Sequence, residues 1–267
     1  MLKIFNRQSI HQNYYFCCHN TLKFVSTSPR NDENGKSLPK KARIVICGSG
    51  LAGSSTAYHL ALANHGHHTV LLERGTIGES SQVKDSGSSG LVGNFKQSAS
   101  NTSLAQYSLT LLDDLTKRGF DIGWNQCGSL NVARTHDRMT QYRKMNSMSQ
   151  AWGIDCKLLS PEECKEICPL IDTSDLKGGL FIPQDGVVDK EKLRQVLLDE
   201  AIKAGVTLVE NCQVEKVVAS DHHVSAVETN LGKIECIYFV NAAGFWSRAI
   251  GQLSEPYVKG KFREDFL

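Results

Sequence analysis

Three glycines, Gly48, Gly50 and Gly53, stand in a G-x-G-x-x-G spacing immediately after the apolar run Arg43 to Cys47 and before an alanine-rich stretch from Leu51 to Ala63. That spacing suits a backbone that must fold tightly, admit a pyrophosphate against its amide groups, and pack a helix close on a strand. A helix beginning at Leu51 would present free N–H groups and a positive dipole end to the phosphates. Glu73 follows 20 residues after Gly53 at the end of a second apolar run, "HHTVLLERG". A carboxylate there can accept hydrogen bonds from ribose hydroxyls. Strand, glycine turn, helix, strand and acid occur in the order a dinucleotide site needs, although the turn does not say which dinucleotide.

The run at 43–47 is rich in Ile and Val and does not alternate with polar residues, as expected of a strand covered on both faces in a parallel sheet. A second turn of small residues, Asn241-Ala242-Ala243-Gly244, ends another strand in "KIECIYFVNAAGFWS" and allows close backbone approach. Leu104, Tyr107, Leu111, Leu112 and Leu115 recur at helical spacing before a stop at Gly119, and a further helix is expected from Asp137 to Trp152. Ser160-Pro161-Glu162-Glu163 has the form of a capping box with proline in the first turn. Leu193, Val196, Leu197 and Ala201 share one face of the stretch "DKEKLRQVLLDEAIKAG", which precedes a strand "VTLVEN". Residues 214–219, 223–229 and 233–240 read as three short strands of a meander.

Charge and cysteine usage narrow the partners. Residues 1–41 hold seven Lys and Arg against two acids, which leaves 23 basic and 26 acidic residues of the total 30 and 28 for the remainder. The base-rich start, in which Asp32 is the first acid, has the composition of a mitochondrial transit peptide or a disordered tail. The mildly acidic remainder offers nothing to nucleic acid. No apolar run approaches the roughly 20 residues of a membrane span. Cys47, Cys127, Cys156, Cys164, Cys168, Cys212 and Cys236 lie without C-x-x-C pairing, so neither a disulfide framework nor a metal site is expected, and Cys164 and Cys168 would share a helix face.

Taken together, "VICGSGLAGSSTAYHLA", "VLLERG", "SLNVARTHDRM", "LSPEECKEICPLI", "GGLFIPQDGVVD" and "FVNAAGFWSRAIG" resemble the FAD-dependent amine oxidoreductases of the D-amino-acid oxidase superfamily. Within it the chain is similar to the mitochondrial sarcosine and dimethylglycine dehydrogenases and to the pyruvate dehydrogenase phosphatase regulatory subunit. The resemblance implies an α/β fold: a Rossmann-like FAD-binding domain with a parallel sheet and β-meander, plus part of an α+β substrate domain. It further implies that residues 42–255 form an incomplete oxidoreductase domain between the leader at 1–41 and a tail at 256–267. The family's domain continues past the position of Leu267, so a C-terminally truncated isoform, a gene-model fragment or a degenerate copy is expected.

FAD is the implied cofactor. Carried over residue by residue, the resemblance puts Leu51 and Ala52 at the pyrophosphate, where the glycine spacing already places Gly48, Gly50 and Gly53. Glu73 and Arg74 fall at the adenosine ribose, Val214 at the adenine through its main chain, and Trp246 at a further flavin-contact position, next to Ala243 and Gly244 of the small-residue turn that lets a backbone lie against the cofactor. Ser80 and Ser81 are candidates to bond phosphate or flavin oxygen. The dehydrogenases anchor their flavin through a histidine that aligns with Gly87, and no histidine occurs between Thr69 and Thr135. A bound flavin is therefore expected to be non-covalent. The resemblance implies a small-molecule amine substrate, with an electron-transfer flavoprotein or a phosphatase catalytic subunit as protein partner in the mitochondrial matrix. Three readings stay open: an N-methyl glycine dehydrogenase domain, a non-catalytic regulatory relative, or an inactive fragment. No catalytic residue is assigned, because Arg134, His136, Arg138 and Tyr142 read as an ordinary helix start.

Overall fold

A computed structural model describes residues 38–77, 90–96, 98–220 and 223–254. In chain order it comprises β1 (Ile44–Cys47), α1 (Leu51–Leu62), β2 (Thr69–Leu72), β3 (Leu91–Val92), α2 (Ala99–Lys117), β4 (Ser129–Ala133), α3 (His136–Ala151), β5 (Lys157–Leu159) and α4 (Pro161–Ile167). These are followed by β6 (Gly178–Ile182), β7 (Gly186–Val187), α5 (Lys190–Lys203), β8 (Thr207–Val209), β9 (Val214–Ser220), β10 (His223–Thr229), β11 (Gly232–Glu235), β12 (Tyr238–Asn241) and α6 (Ser247–Gln252).

The central layer is a parallel four-stranded sheet in the order β12-β1-β2-β8. Successive residues of β1 serve opposite faces, as the pleat requires. Ile44 and Ile46 join Leu71 in a core closed by α1, α2 and α5, where Leu112, Leu115, Leu197 and Leu198 are buried. Val45 and Cys47 join Val70 and Leu72 in a second core, closed on the other side by Val214, Val217, Val227 and Ile234 of the antiparallel meander β9-β10-β11. Burial on both faces explains why the strand shows no polar alternation.

A third core lies apart, where α3 packs on the antiparallel sheet β4-β6-β5 through Met139, Tyr142, Leu180 and Ile182. β3 pairs with β7, and buried Asp185 ties the two layers together. Its Oδ1 accepts from the Asn94 N–H at 2.6 Å and its Oδ2 from the Ser129 hydroxyl at 2.5 Å. No helix among the described residues is long and apolar enough to cross a membrane.

The helix starts follow the local sequence. Ser160 and Glu163 form the reciprocal capping box, and Asp189 accepts from the N–H groups of Glu191 and Lys192 at the start of α5. Three expectations change. The stretch 233–240 is two strands: the chain leaves the meander after Glu235 and enters the parallel sheet at Tyr238, because β12 must run alongside β1. Leu104 and Tyr107 do not face the core of α2, being 66% and 45% exposed. The helix turns that end outward, and the Tyr107 hydroxyl instead pairs with His59 Nε2 at 2.8 Å. Cys164 is buried, whereas Cys168 caps the end of α4 with extended backbone and leaves the helix face.

The contrast along α2 is testable by urea unfolding. Leu112→Ala, at a side chain 3% exposed, is expected to lower stability by about 2–5 kcal/mol. Leu104→Ala should stay within about 0.5 kcal/mol of the unaltered chain. Equal losses at the two positions would contradict this packing.

Candidate nucleotide site at the carboxyl edge of the parallel sheet

Parallel strands all end at the same edge, so the residues that follow β2, β1 and β12 meet there. Gly48 donates its N–H to the Leu72 carbonyl at 2.8 Å, and Ala242 donates to the Cys47 carbonyl at 2.9 Å. Glu73 donates its N–H to Val209 and accepts at its carbonyl from the Cys212 N–H, at 2.9 and 2.8 Å. The glycine turn is thereby seated between the Glu73 segment and the Asn241–Gly244 turn.

The three glycines have different reasons to be glycine. Gly48 has a φ of +101°, and a Cβ there would lie 2.6 Å from the Ala242 carbonyl oxygen. A Cβ on Gly53 would fall 1.8 Å from the Gly48 carbonyl oxygen, so α1 can approach the turn only without a side chain at that position. At Gly50 a Cβ would meet nothing within 4 Å. The described residues leave the space above Gly50 open, and this glycine caps α1 with no side-chain hydrogen bond. The N–H groups of Leu51 and Ala52 have no acceptor among the described residues, which leaves the start of α1 able to receive an anion. An open approach, unmet amides and a dipole end fit the pyrophosphate of a dinucleotide.

Glu73 is half-buried beside the turn. Its Oε2 accepts from the N–H and the hydroxyl of Ser49 at 3.0 and 2.7 Å, and its Oε1 accepts from the Gly75 N–H at 3.2 Å. Ser49 is itself buried, and its carbonyl accepts from the Ser54 hydroxyl at 2.9 Å. Ser49 stands at an unspecified position of the glycine pattern, so only its hydroxyl, on an otherwise small-residue turn, marks it in the sequence.

Arg74 turns the other way, with its guanidinium carbon 3.5 Å from the ring centroid of Trp246, a cation–π stack that bridges the ends of β2 and β12. Ala243 packs partly into the core under the sheet, and Gly244 has a φ of +57° with open space beside it. The Val214 side chain is buried in the same core at the start of β9, leaving its main chain as the part that can address a ligand. Ser80, Ser81 and Gly87 lie outside the described residues. Arg134 pairs with Asp175 at 3.3 Å and Arg138 bonds Gln141 at 3.0 Å, both with exposed side chains and neither bonded to the turn's residues in these contacts.

Beneath the turn, burial pushes the Cys47 thiol up to about 12. The Glu73 carboxylate and neighbouring Cys212 add to that rise, and Arg74 opposes it weakly. The thiolate would be a buried anion next to a carboxylate, so Cys47 is an inert packing group.

The sequence profile of the FAD dependent oxidoreductase family, DAO, matches residues 43–263. The chain is 32% identical over 231 residues to the mitochondrial pyruvate dehydrogenase phosphatase regulatory subunit of Mus musculus, covering 86% of this chain and 26% of that protein. It is 34% identical over 224 residues to the mitochondrial sarcosine dehydrogenase of Mus musculus, covering 81% of this chain and 24% of that protein. The chain thus spans about a quarter of the length of these relatives. Among solved structures it superposes on L-proline dehydrogenase from P. horikoshii with a TM-score of 0.73 and 25% identity, over 81% of this chain and 56% of that one.

Iodoacetamide at pH 8 is expected to label exposed Cys127 and leave Cys47 unmodified until the chain is unfolded. Peptide mass spectrometry reads the result, and labelling of Cys47 in the folded chain would contradict the buried, charge-disfavouring setting.

Proposed function

The chain belongs to the FAD dependent oxidoreductase family, and from that premise we propose that it is an oxidoreductase domain for N-methyl glycine-type amines, working in mitochondria. The observation that carries the reading is the convergence of the glycine turn, Glu73 and the Asn241–Gly244 turn on one sheet edge, with an open approach above Gly50. The choice of amine is supported by the similarity to sarcosine and dimethylglycine dehydrogenases at 30–34% identity. The mitochondrial setting is supported by the base-rich residues 1–41 and by the mitochondrial names of those relatives.

In this reading the amides of Leu51 and Ala52 and the dipole of α1 hold the pyrophosphate, while Gly48, Gly50 and Gly53 keep side chains out of its way. Glu73 and Arg74 would hold the adenosine ribose, and the Val214 main chain would meet the adenine. Ala243, Gly244 and Trp246 would provide further flavin contacts, and Ser80 and Ser81 would offer hydroxyls to phosphate or a flavin oxygen. Bound FAD supplies the acceptor for a hydride from the N-methyl carbon. The protein's part is to hold that acceptor without a covalent histidine, since none occurs between Thr69 and Thr135.

Two observations favour a second reading. The missing histidine and the 32% identity to the phosphatase regulatory subunit fit a non-catalytic binding module whose partner is a phosphatase catalytic subunit. Under the dehydrogenase reading the protein partner is an electron-transfer flavoprotein.

FAD titration, followed by flavin fluorescence and thermal shift, tests the site. The unaltered chain is expected to bind FAD, and Gly50→Ala to weaken that binding by at least about tenfold, more than 1.4 kcal/mol, with little change in melting temperature. Anaerobic addition of sarcosine or dimethylglycine should then bleach the flavin absorption band. Retained FAD with no bleaching by either amine, together with co-purification of a phosphatase catalytic subunit, would favour the second reading. Absence of any FAD binding would remove both uses of the cofactor.

A further inference from the structure

The nucleotide reading leaves the hydroxyl of Ser49 without a role, although this residue is 2% exposed and its Oγ donates to Glu73 Oε2 at 2.7 Å. An ionised carboxylate offers about four lone-pair sites, two on each oxygen. Both sites of Oε2 are taken by Ser49, one by its N–H at 3.0 Å and one by its hydroxyl. Oε1 has one site taken, by the Gly75 N–H at 3.2 Å. Among the described residues' bonds, one acceptor site therefore remains for a ligand, whereas the adenosine ribose presents two vicinal hydroxyls that an unencumbered carboxylate could accept together, one on each oxygen.

We infer that Ser49 Oγ competes with the ribose diol for Glu73, so that this chain grips the adenosine sugar through a single hydroxyl and holds its nucleotide more loosely than the turn would otherwise allow. The inference rests on the proposed placement of the ribose at Glu73. Removing the hydroxyl frees one site on Oε2 while the N–H groups of Ser49 and Gly75 still orient the carboxylate. The turn does not depend on Oγ for its anchoring, since the Ser49 carbonyl is held separately by the Ser54 hydroxyl and Gly48 by the Leu72 carbonyl. Ser49 is in these terms a specificity-determining residue that acts through Glu73.

The test titrates the unaltered chain and Ser49→Ala with FAD, and displaces the FAD with ADP, 2′-deoxy-ADP and 3′-deoxy-ADP. Ser49→Ala is expected to bind FAD about three- to tenfold more tightly, the worth of one additional hydrogen bond. The unaltered chain should lose affinity on deletion of only one of the two ribose hydroxyls, and Ser49→Ala on deletion of either. Ser49→Gly, which removes the same hydroxyl and adds no atom, repeats the measurement should the alanine variant fail to fold. Unchanged or weaker FAD binding in both variants overturns the role of Ser49, as does tightening without the gained sensitivity to the second hydroxyl. If the unaltered chain binds neither FAD nor ADP, the nucleotide reading falls and this inference falls with it.

Discussion

The closeness of three backbone segments at one sheet edge governs the structure. A Cβ at Gly53 would sit 1.8 Å from the Gly48 carbonyl oxygen, and one at Gly48 would sit 2.6 Å from that of Ala242. These separations mean that α1, the turn after β1 and the turn after β12 pack backbone against backbone, with no side chain between them. The amino end of α1 is thereby fixed directly over the carboxyl end of β1, with its amides unmet and its approach through Gly50 open. A helix set farther back by a methyl group would still pack, but its amides would no longer point at the same spot as Glu73.

What holds that edge is the double coverage of the sheet. Helices α1, α2 and α5 bury Ile44, Ile46 and Leu71 on one face, and the meander buries Val45, Cys47, Val70 and Leu72 on the other. With both faces dry, the strands cannot slide by one residue without driving every side chain into the wrong core. The register that places Cys47 beside Leu72 and Asn241 is therefore strongly specified, and the three following residues arrive together. The same dryness makes Cys47 a poor anion, whereas half-buried Glu73 finds its donors within the turn segments, from Ser49 and Gly75.

Much of this was legible in the residues. The glycine spacing, the unalternating strand at 43–47, the acid at 73 and the Asn-Ala-Ala-Gly turn each carry a local physical requirement, and the resemblance to FAD-dependent amine oxidoreductases rests on the same segments. The capping box at Ser160 was equally plain, because it is made within four residues. Other features were not. The outward turn of Leu104 and Tyr107 depends on where α2 ends its contact with the sheet, and the break between Glu235 and Tyr238 depends on β1 being free to accept a parallel neighbour.

The linear order of amino acids suffices for requirements satisfied by neighbours along the chain: where α1 must begin, which turns need glycine, which runs are buried, and the absence of a histidine between Thr69 and Thr135. It also suffices to bring out the family. The stacking of Arg74 on Trp246, separated by 172 positions along the chain, and the capture of Glu73 by the Ser49 hydroxyl belong to the assembled molecule alone. Hydrogen bonds and ring contacts depend on distance and direction between groups that only the packed sheet brings together, and no periodicity or composition encodes those angles.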